Sequence, residues 1–216
     1  MDARPETIVI KVGGNEIDDD SFLTGFVAAV AEIRKQAQVV IVHGGGKEIA
    51  ELHQKLNVSF HFVDGLRVTT ADSLRLVKMV LSGLVNTRLT RWLVNAGVEA
   101  LGLSGVDMGV VRVEPHRPNG QDIGFVGRVV DVRAEALQRL LAAGIVPVLS
   151  PISLGLDGQS YNVNADQVAS AVAVALDAGR LAFVSNVPGV LVDGAIATEL
   201  QLGQVDSHIA SGQISG

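Results

Sequence analysis

The sequence has no cysteine and few aromatic residues: one tryptophan, one tyrosine and six phenylalanines among 216 residues. The absence of cysteine excludes disulfide bonds, thiol nucleophiles and zinc–thiolate sites. No apolar run approaches the roughly 18–20 residues of a membrane-spanning helix, and the polar segment 1–7 is unlike a signal peptide. Acidic residues outnumber basic ones by 23 to 17, which argues against a nucleic-acid partner. We therefore expect a cytoplasmic protein without membrane or nucleic-acid partners.

Apolar residues (48%) and 24 glycines dominate what is present, as is typical of parallel α/β proteins. Short apolar runs predict buried parallel strands at residues 8–12, 39–42, 100–103, 145–149 and 181–184. Apolar residues at helical spacing predict helices over residues 21–37, 47–56, 70–96, 133–143 and 165–178. Two further stretches, residues 60–68 and 110–130, predict β-hairpins. The sequence predicts an α/β three-layer sandwich with a mainly parallel central sheet, helices on both faces and edge hairpins, in one domain spanning 1–216.

Two glycine turns follow the first two predicted strands. Gly13 and Gly14 end the first, and the run 43–46, a histidine and three glycines, ends the second. Such turns at the carboxyl ends of parallel strands let phosphate approach backbone N–H groups, although glycine also serves tight turns alone. Lys11 lies in an apolar strand beside the first turn, where either a phosphate or an outward-facing edge position would account for its charge. Neither turn matches a Walker A or GxGxxG motif.

Six motifs in order carry a resemblance over essentially the whole chain. They are Lys11-Val12-Gly13-Gly14-Asn15, His43-Gly44-Gly45-Gly46, Gly65-Leu66-Arg67-Val68, Gly102-Leu103-Ser104-Gly105, Tyr161-Asn162-Val163-Asn164-Ala165-Asp166 and Val187-Pro188-Gly189-Val190. The chain resembles the amino-acid kinase family, and within it most closely the acetylglutamate kinases. The resemblance implies transfer of the ATP γ-phosphoryl group to the side-chain carboxylate of N-acetyl-L-glutamate, in arginine biosynthesis. Mg²⁺ would be carried on the ATP phosphates, with no metal site in the protein.

The resemblance also implies roles for single residues. Lys11 would contact the transferred phosphoryl group and Asp166 would orient Lys11. Nucleotide-binding residues would be Lys11, Gly13, Gly14, Ser185 and Asn186, and substrate-binding residues would be Gly44, Gly45, Arg67, Asn162 and Asn164. Asn186 stands where many relatives have Asp. From the residues alone, Asn164 or Asp166 is equally an N-cap of the following helix, and Arg67 a solvated hairpin arginine. The five histidines (His43, His53, His61, His116 and His208) have no metal-site spacing and are expected to be structural or superficial.

Several alternatives and expectations remain at this level. We expect a substrate lobe over about 1–165 and the start of a nucleotide lobe over about 166–216, truncated before a second phosphate-binding lysine of the family. The apolar helix at 70–96 favours a homodimer, and the lack of an N-terminal helix predicts insensitivity to arginine. The alternative functions are a kinase for carrier-protein-linked aminoadipate or glutamate in lysine or arginine biosynthesis, a catalytically inactive ligand-binding relative, and a plain nucleotide-binding module.

Overall fold

The computed structural model describes residues 5–14, 16–187 and 189–214. The strands are β1 (Thr7–Val12), β2 (Gln38–His43), β3 (Phe62–Val63), β4 (Leu66–Arg67), β5 (Ala100–Ser104), β6 (Val111–Pro115), β7 (Gly127–Val132), β8 (Val146–Ser150), β9 (Ile152–Gly155), β10 (Ser160–Asn162), β11 (Arg180–Val184), β12 (Leu191–Val192) and β13 (Ala195–Ile196). The α-helices are α1 (Asp20–Ile33), α2 (Gly46–Lys55), α3 (Ala71–Lys78), α4 (Asn86–Asn95), α5 (Ala134–Ala142), α6 (Ala165–Ala175) and α7 (Leu202–Ala210). The chain divides into two units after Val184.

The central sheet of the first unit contains all five strands that the apolar runs predict. Within the described residues its order is β11-β1-β2-β8-β5, and every neighbouring pair is parallel. The predicted α/β fold is therefore confirmed. Because parallel strands here share one direction, the turns that follow β1 and β2 lie at the same edge of the sheet.

Alternation along the strands divides the core into two layers. Ile10 and Val12 face α1 and α4, whereas Val9 packs with the residues of α6 on the other face. Lys11 is two residues after Val9, so its side chain points to the same face of the sheet, towards α6. Helices thus cover both faces, as the β-α alternation predicts.

The predicted hairpins form, but one belongs to a larger sheet. β3 and β4 pair around Asp64 and Gly65, and both of these residues have positive φ. β6 and β7 pair antiparallel, within a mixed sheet of order β10-β9-β6-β7 among the described residues. The sequence analysis missed β9 and β10, because they are short and β9 pairs in parallel with the distant β6.

All predicted helices form; α2 is displaced by one residue, and the others are shorter than predicted. α1 ends at Ile33 rather than residue 37, and α6 ends at Ala175 rather than residue 178. The helix predicted over 70–96 is continuous but contains a π-helical segment, Met79–Val85, between α3 and α4. Thr70 caps α3 by accepting a hydrogen bond from Ser73 N. In the described part of the chain, no helix is long and apolar enough to cross a membrane.

The second unit, described over residues 185–187 and 189–214, contains the β12–β13 hairpin and α7. The hairpin turns at Asp193 and Gly194, both with positive φ. Gln213 closes this unit by donating from Nε2 to the Asp193 carboxylate at 2.7 Å. The predicted division into lobes near residue 165 stays a prediction, and it differs from the division after Val184.

Candidate functional site

The two glycine turns touch each other through their backbones. Gly44 N donates to Val12 O at 2.9 Å, which ties the second turn to the end of β1. A Cβ atom at Gly14 would lie 2.7 Å from both N and Cα of Gly45 and 2.8 Å from Gly46 N. No side chain fits in that space, so this close approach requires glycine at position 14.

The contact leaves backbone donors at the start of α2. Gly45 is the N-cap residue of α2 and Gly46 is its first residue, so neither N–H has a partner within the helix. Neither N–H has an acceptor elsewhere among the described residues. The unpaired N–H groups and the positive end of the helix dipole suit a bound anion.

The backbone N–H of Gly13, which is predicted to bind phosphate, already has a partner in the sheet. Its N–H donates to Val184 O at 3.1 Å, which extends the hydrogen bonding between β1 and β11. The N–H group that the prediction assigns to phosphate is thus already bonded within the sheet, and the role of Gly13 stays a prediction. Gly14 has no such bond among the described residues and keeps its N–H for a ligand.

Lys11 and Asp166 form an ion pair across the sheet. Lys11 Nζ lies 3.0 Å from Asp166 Oδ1, and the lysine side chain is only 16% exposed. Asp166 lies in the first turn of α6, where it meets the face of the sheet that Lys11 shares with Val9. Asn164 caps α6 by accepting from Asp166 N at 2.7 Å and from Gln167 N at 3.3 Å. The N-cap alternative for Asn164 is therefore correct, and Asp166 pairs with the lysine.

Arg67 packs against two aromatic rings, Phe60 and Phe62, which contact each other edge to face. Its guanidinium carbon lies 4.1 Å from the ring centre of Phe60 and 4.8 Å from that of Phe62. Its Nη1 is buried and has no hydrogen-bond partner among the described residues. Burial lowers the pKa of Arg67 from its ordinary value, although an arginine remains charged at any physiological pH. A fixed cation with an unpaired donor differs from the solvated hairpin arginine and is suited to a carboxylate.

These groups line one cleft of about 270 Å³ in the first unit. It brings together the predicted residues Lys11, Gly14, Gly44, Gly45, Arg67, Asn162, Asn164 and Asp166. Asn162 is partly buried there and donates from Nδ2 to Thr69 Oγ1 at 3.3 Å. A larger cavity of about 690 Å³ opens beside the first residues of β1 and β2, and none of the described residues that line it is a lysine or an arginine.

Other predicted residues lie outside this cleft. Ser185 and Asn186 begin the second unit, where Ser185 Oγ accepts from Val187 N at 3.3 Å. Asn15 and Pro188, which belong to two of the family motifs, lie outside the described residues. No group of three or more His, Asp or Glu residues in the described ranges is arranged to hold a metal ion.

Sequence reasoning missed Phe60 and Phe62 as partners of Arg67. Their spacing of two residues in a chain with eight aromatics was the available signal, since alternate residues of an extended segment share a face. The sequence also gave no indication of an ionic cluster beside the turns. Arg88 of α4 contacts the carboxylate of Asp18, and its Nη2 donates to Glu48 Oε1 at 2.7 Å.

Within this cluster the pKa of Glu48 is raised and the pKa of Asp18 is lowered. Burial, and then the neighbouring Asp18, raise the pKa of Glu48. Burial also opposes ionisation of Asp18, but hydrogen bonds with Glu48 and Arg88 outweigh it and leave the pKa of Asp18 below its ordinary value. The cluster joins the segment after the first glycine turn to the first turn of α2, so it fixes the two turns relative to each other.

Comparison with known proteins gives concordant matches. The profile of the amino acid kinase family matches residues 6–206. An acetylglutamate kinase of Chloroflexus aurantiacus is 52% identical over 209 residues, which are 96% of this chain and 82% of the relative. An acetylglutamate kinase of Geobacillus stearothermophilus is 48% identical over 212 residues, covering 98% of this chain and 81% of the relative.

A solved structure also has the same fold as this chain. The smu.665 protein of Streptococcus mutans UA159 superimposes with a TM-score of 0.87 at 32% identity, covering 97% of this chain and 84% of the other. The family profile, the similar sequences and the similar structure all indicate the same family. Motifs typical of this family line the cleft described above. The chain belongs to the amino acid kinase family.

Proposed function

We propose that this protein transfers the γ-phosphoryl group of ATP to the side-chain carboxylate of N-acetyl-L-glutamate, forming an acyl phosphate in arginine biosynthesis. The observation that carries the proposal is the convergence of Lys11, the unpaired turn N–H groups and Arg67 on one cleft. Both reactants are anions, so catalysis depends on positioning and charge neutralisation rather than on covalent chemistry. The acetylglutamate kinases at about 50% identity support this substrate.

The substrate would be held at its non-reacting end. Arg67 would bind the α-carboxylate with its guanidinium, whose Nη1 has no partner among the described residues, because a planar guanidinium pairs with a carboxylate at two points. Asn162 donates to Thr69 and keeps its carbonyl oxygen for the substrate amide. Asn164 uses its oxygen to cap α6, so only its NH₂ group is available to the substrate.

The transferred phosphoryl group would lie at the glycine turns. Lys11 and the N–H groups of Gly14, Gly44 and Gly45 surround this region, but Gly44 N is already bonded to Val12 O. Of these three, Gly14 and Gly45 therefore supply donors that have no acceptor among the described residues. Asp166 holds the Lys11 ammonium in place before the substrates bind, which avoids reorganisation during the reaction.

No general base is needed, because a carboxylate nucleophile is already ionised at neutral pH. Asp166 therefore acts by orienting Lys11. Mg²⁺ arrives on the ATP phosphates, where it neutralises their charge. Ser185 and Asn186 contact the nucleotide in this proposal, in a nucleotide lobe that begins after about residue 165.

The protein would act as a cytoplasmic homodimer. The continuous helix from α3 to α4 exposes Met79, Leu84 and Val94 to solvent at 63%, 55% and 52% of their surfaces. Apolar side chains so exposed on one long helix favour burial against a second copy.

The test is an ATP-dependent assay in which hydroxylamine traps the acyl phosphate. We expect turnover with N-acetyl-L-glutamate and much less with free L-glutamate, and no product when Lys11→Met replaces the wild-type protein. Turnover only with a carrier-protein-linked substrate would replace the proposal with the carrier-linked kinase. Binding of N-acetyl-L-glutamate by the folded wild-type protein without any turnover would identify an inactive relative.

A further inference from the structure

His43 ends β2 and directly precedes the second glycine turn. Its side chain is fully buried, and both ring nitrogens have partners. Nδ1 lies 2.8 Å from Gly44 O, and Nε2 lies 3.0 Å from Asn86 Nδ2. Because a carbonyl oxygen only accepts, Nδ1 carries the proton and Nε2 accepts from the asparagine amide. The ring is therefore held as one neutral tautomer, and burial, opposed by the bond to Gly44, lowers the pKa of His43 to about 4.

Asn86 fixes the ring from the opposite side. It is the first residue of α4, directly after the π-helical segment, and is buried. Its Nδ2 also donates to Val148 O of β8 at 2.8 Å. Both acceptors require the NH₂ group, so the orientation of the amide is determined. The bonds link α4, β8 and β2 to the glycine turn.

The bond from His43 to Gly44 O determines the direction of the next N–H. In a planar trans peptide the C=O and N–H groups point in opposite directions. Since Gly44 C=O is directed at the buried ring, Gly45 N–H points away from it. Gly45 borders the cleft, and its N–H has no acceptor among the described residues. A buried donor without a partner is costly unless a ligand satisfies it.

We propose that His43, held by Asn86, is a positioning residue that orients the Gly44–Gly45 peptide so that Gly45 N–H faces the cleft and donates to the oxygens of the transferred phosphoryl group. The orientation stands on the hydrogen bonds above, whereas the catalytic consequence rests on the proposed function. A histidine that merely filled the core would give no preference for one ring nitrogen over the other.

The kinetic test compares two amide variants that each mimic one ring nitrogen. In His43→Asn the side-chain NH₂ group lies near the position of Nδ1 and can still donate to Gly44 O, so we expect kcat within about threefold of wild type. In His43→Gln the longer side chain replaces Nε2 and loses that donor, so we expect kcat to fall by about 10- to 100-fold with little change in KM. Val98→Ala, a buried change beyond the end of α4, controls for lost stability.

A second measurement does not depend on activity. Two-dimensional ¹H–¹⁵N NMR of the ligand-free protein follows the Gly44 and Gly45 amides. Loss of the imidazole ring current shifts these signals in both variants, but we expect exchange broadening only in His43→Gln. Equally sharp glycine signals in the two variants, or equal kcat, would overturn the positioning role. If the wild-type protein fails to phosphorylate N-acetyl-L-glutamate, the proposed function fails, and the NMR comparison still decides whether His43 orients the turn.

Discussion

At the scale of single residues, Arg67 illustrates how a side chain is prepared for its ligand. The guanidinium carbon lies 4.1 Å from the ring centre of Phe60 and 4.8 Å from that of Phe62, and Nη1 has no hydrogen-bond partner among the described residues. Contact with two rings restricts the rotation of the cation, so the carboxylate of the proposed substrate would meet a donor group that is already oriented. A lysine ammonium has neither the planar fork nor the same stacking.

We therefore predict that Arg67→Lys raises KM for N-acetyl-L-glutamate by about 10- to 100-fold, the range for losing a charged hydrogen bond, with a smaller effect on kcat. Steady-state kinetics at saturating ATP measure both constants. Arg75→Lys is the control, because Arg75 is an exposed arginine of α3 that pairs with Asp72. If the two variants had the same KM, the position of Arg67 in the cleft would be irrelevant to binding.

Gly14 shows how a missing side chain brings two turns together. We predict that Gly14→Ala separates the turns and lowers kcat by at least about 100-fold, since the new Cβ would meet the Gly45 backbone at 2.7 Å. Gly25→Ala, in the exposed middle of α1 with open space around it, should instead stabilise the protein by about 0.5–1 kcal/mol. Kinetics and chemical denaturation check the pair, and a wild-type kcat in Gly14→Ala would refute the packing argument.

At the scale of elements, the cluster around Arg88 links α4 to α2. Arg88 contacts Asp18 and Glu48, and Glu48 is 7% exposed with its Oε2 unpaired among the described residues. Removing the arginine leaves the buried carboxyl group of Glu48 without its cationic partner, which lowers the stability of the fold. Because Arg88 and Asp18 are partly exposed, the loss is smaller than for a fully buried pair.

We predict that Arg88→Met lowers the free energy of unfolding by about 2 kcal/mol and that the double variant Arg88→Met/Glu48→Leu recovers most of it, because the second change removes the stranded group. Urea denaturation of both single variants and of the double variant gives the interaction free energy between positions 88 and 48. Additive losses in the double variant would mean that the contact contributes little.

The helical stretch from α3 to α4 shows what periodicity leaves undetermined. The apolar spacing over residues 70–96 correctly predicts a continuous helix, but not its π-helical segment. An extra residue per turn there changes which side chains of α4 face the sheet, and π-segments occur often at functional sites. Asn86 follows this segment and reaches both His43 and Val148 O.

At the scale of the whole molecule, the buried His43 makes folding depend on pH. Its pKa is about 4 in the folded protein and near 6.5 when exposed, so the unfolded chain binds the proton more readily between these values. The stabilisation is complete above about pH 6.5 and is lost as the pH falls through about 4.

We predict that the wild-type protein loses about 3 kcal/mol more than His43→Asn between pH 7 and pH 4, because 2.5 pKa units correspond to that free energy. The comparison of the two proteins removes contributions from carboxyl groups that titrate in both. Chemical denaturation at several pH values measures it, and parallel pH curves would contradict the role of His43.

Assembly is a second property at this scale. Leu84 is 55% exposed on the helix that we propose for the homodimer. We predict that Leu84→Glu shifts the sedimentation behaviour from dimer to monomer, because burying an unpaired charge in an interface is costly. Val174→Glu, a change at an exposed residue of α6, is the control and should leave the dimer intact. A mass near six subunits for the wild-type protein would refute the proposed dimer.

The α/β class, the five parallel strands, the positions of the glycine turns and the family resemblance could all be predicted from the sequence. These features are readable because strand and helix periodicities depend on near neighbours, and a turn after a strand requires only a few local residues. The ordered motifs likewise identified most residues of the cleft, including the pairing of Lys11 with Asp166, which the resemblance implied and the structure contains.

The contacts between these parts could not be predicted from the sequence and are known from the folded chain. Gly14 packs directly against Gly45, and Gly13 N–H donates to Val184 O. Arg67 packs against two phenylalanines, and His43 bonds to Asn86. Each of these contacts joins segments that are separate in the sequence or depends on the local orientation of a side chain. No periodicity encodes them, because each depends on the twist of the sheet and the side-chain packing of the folded chain.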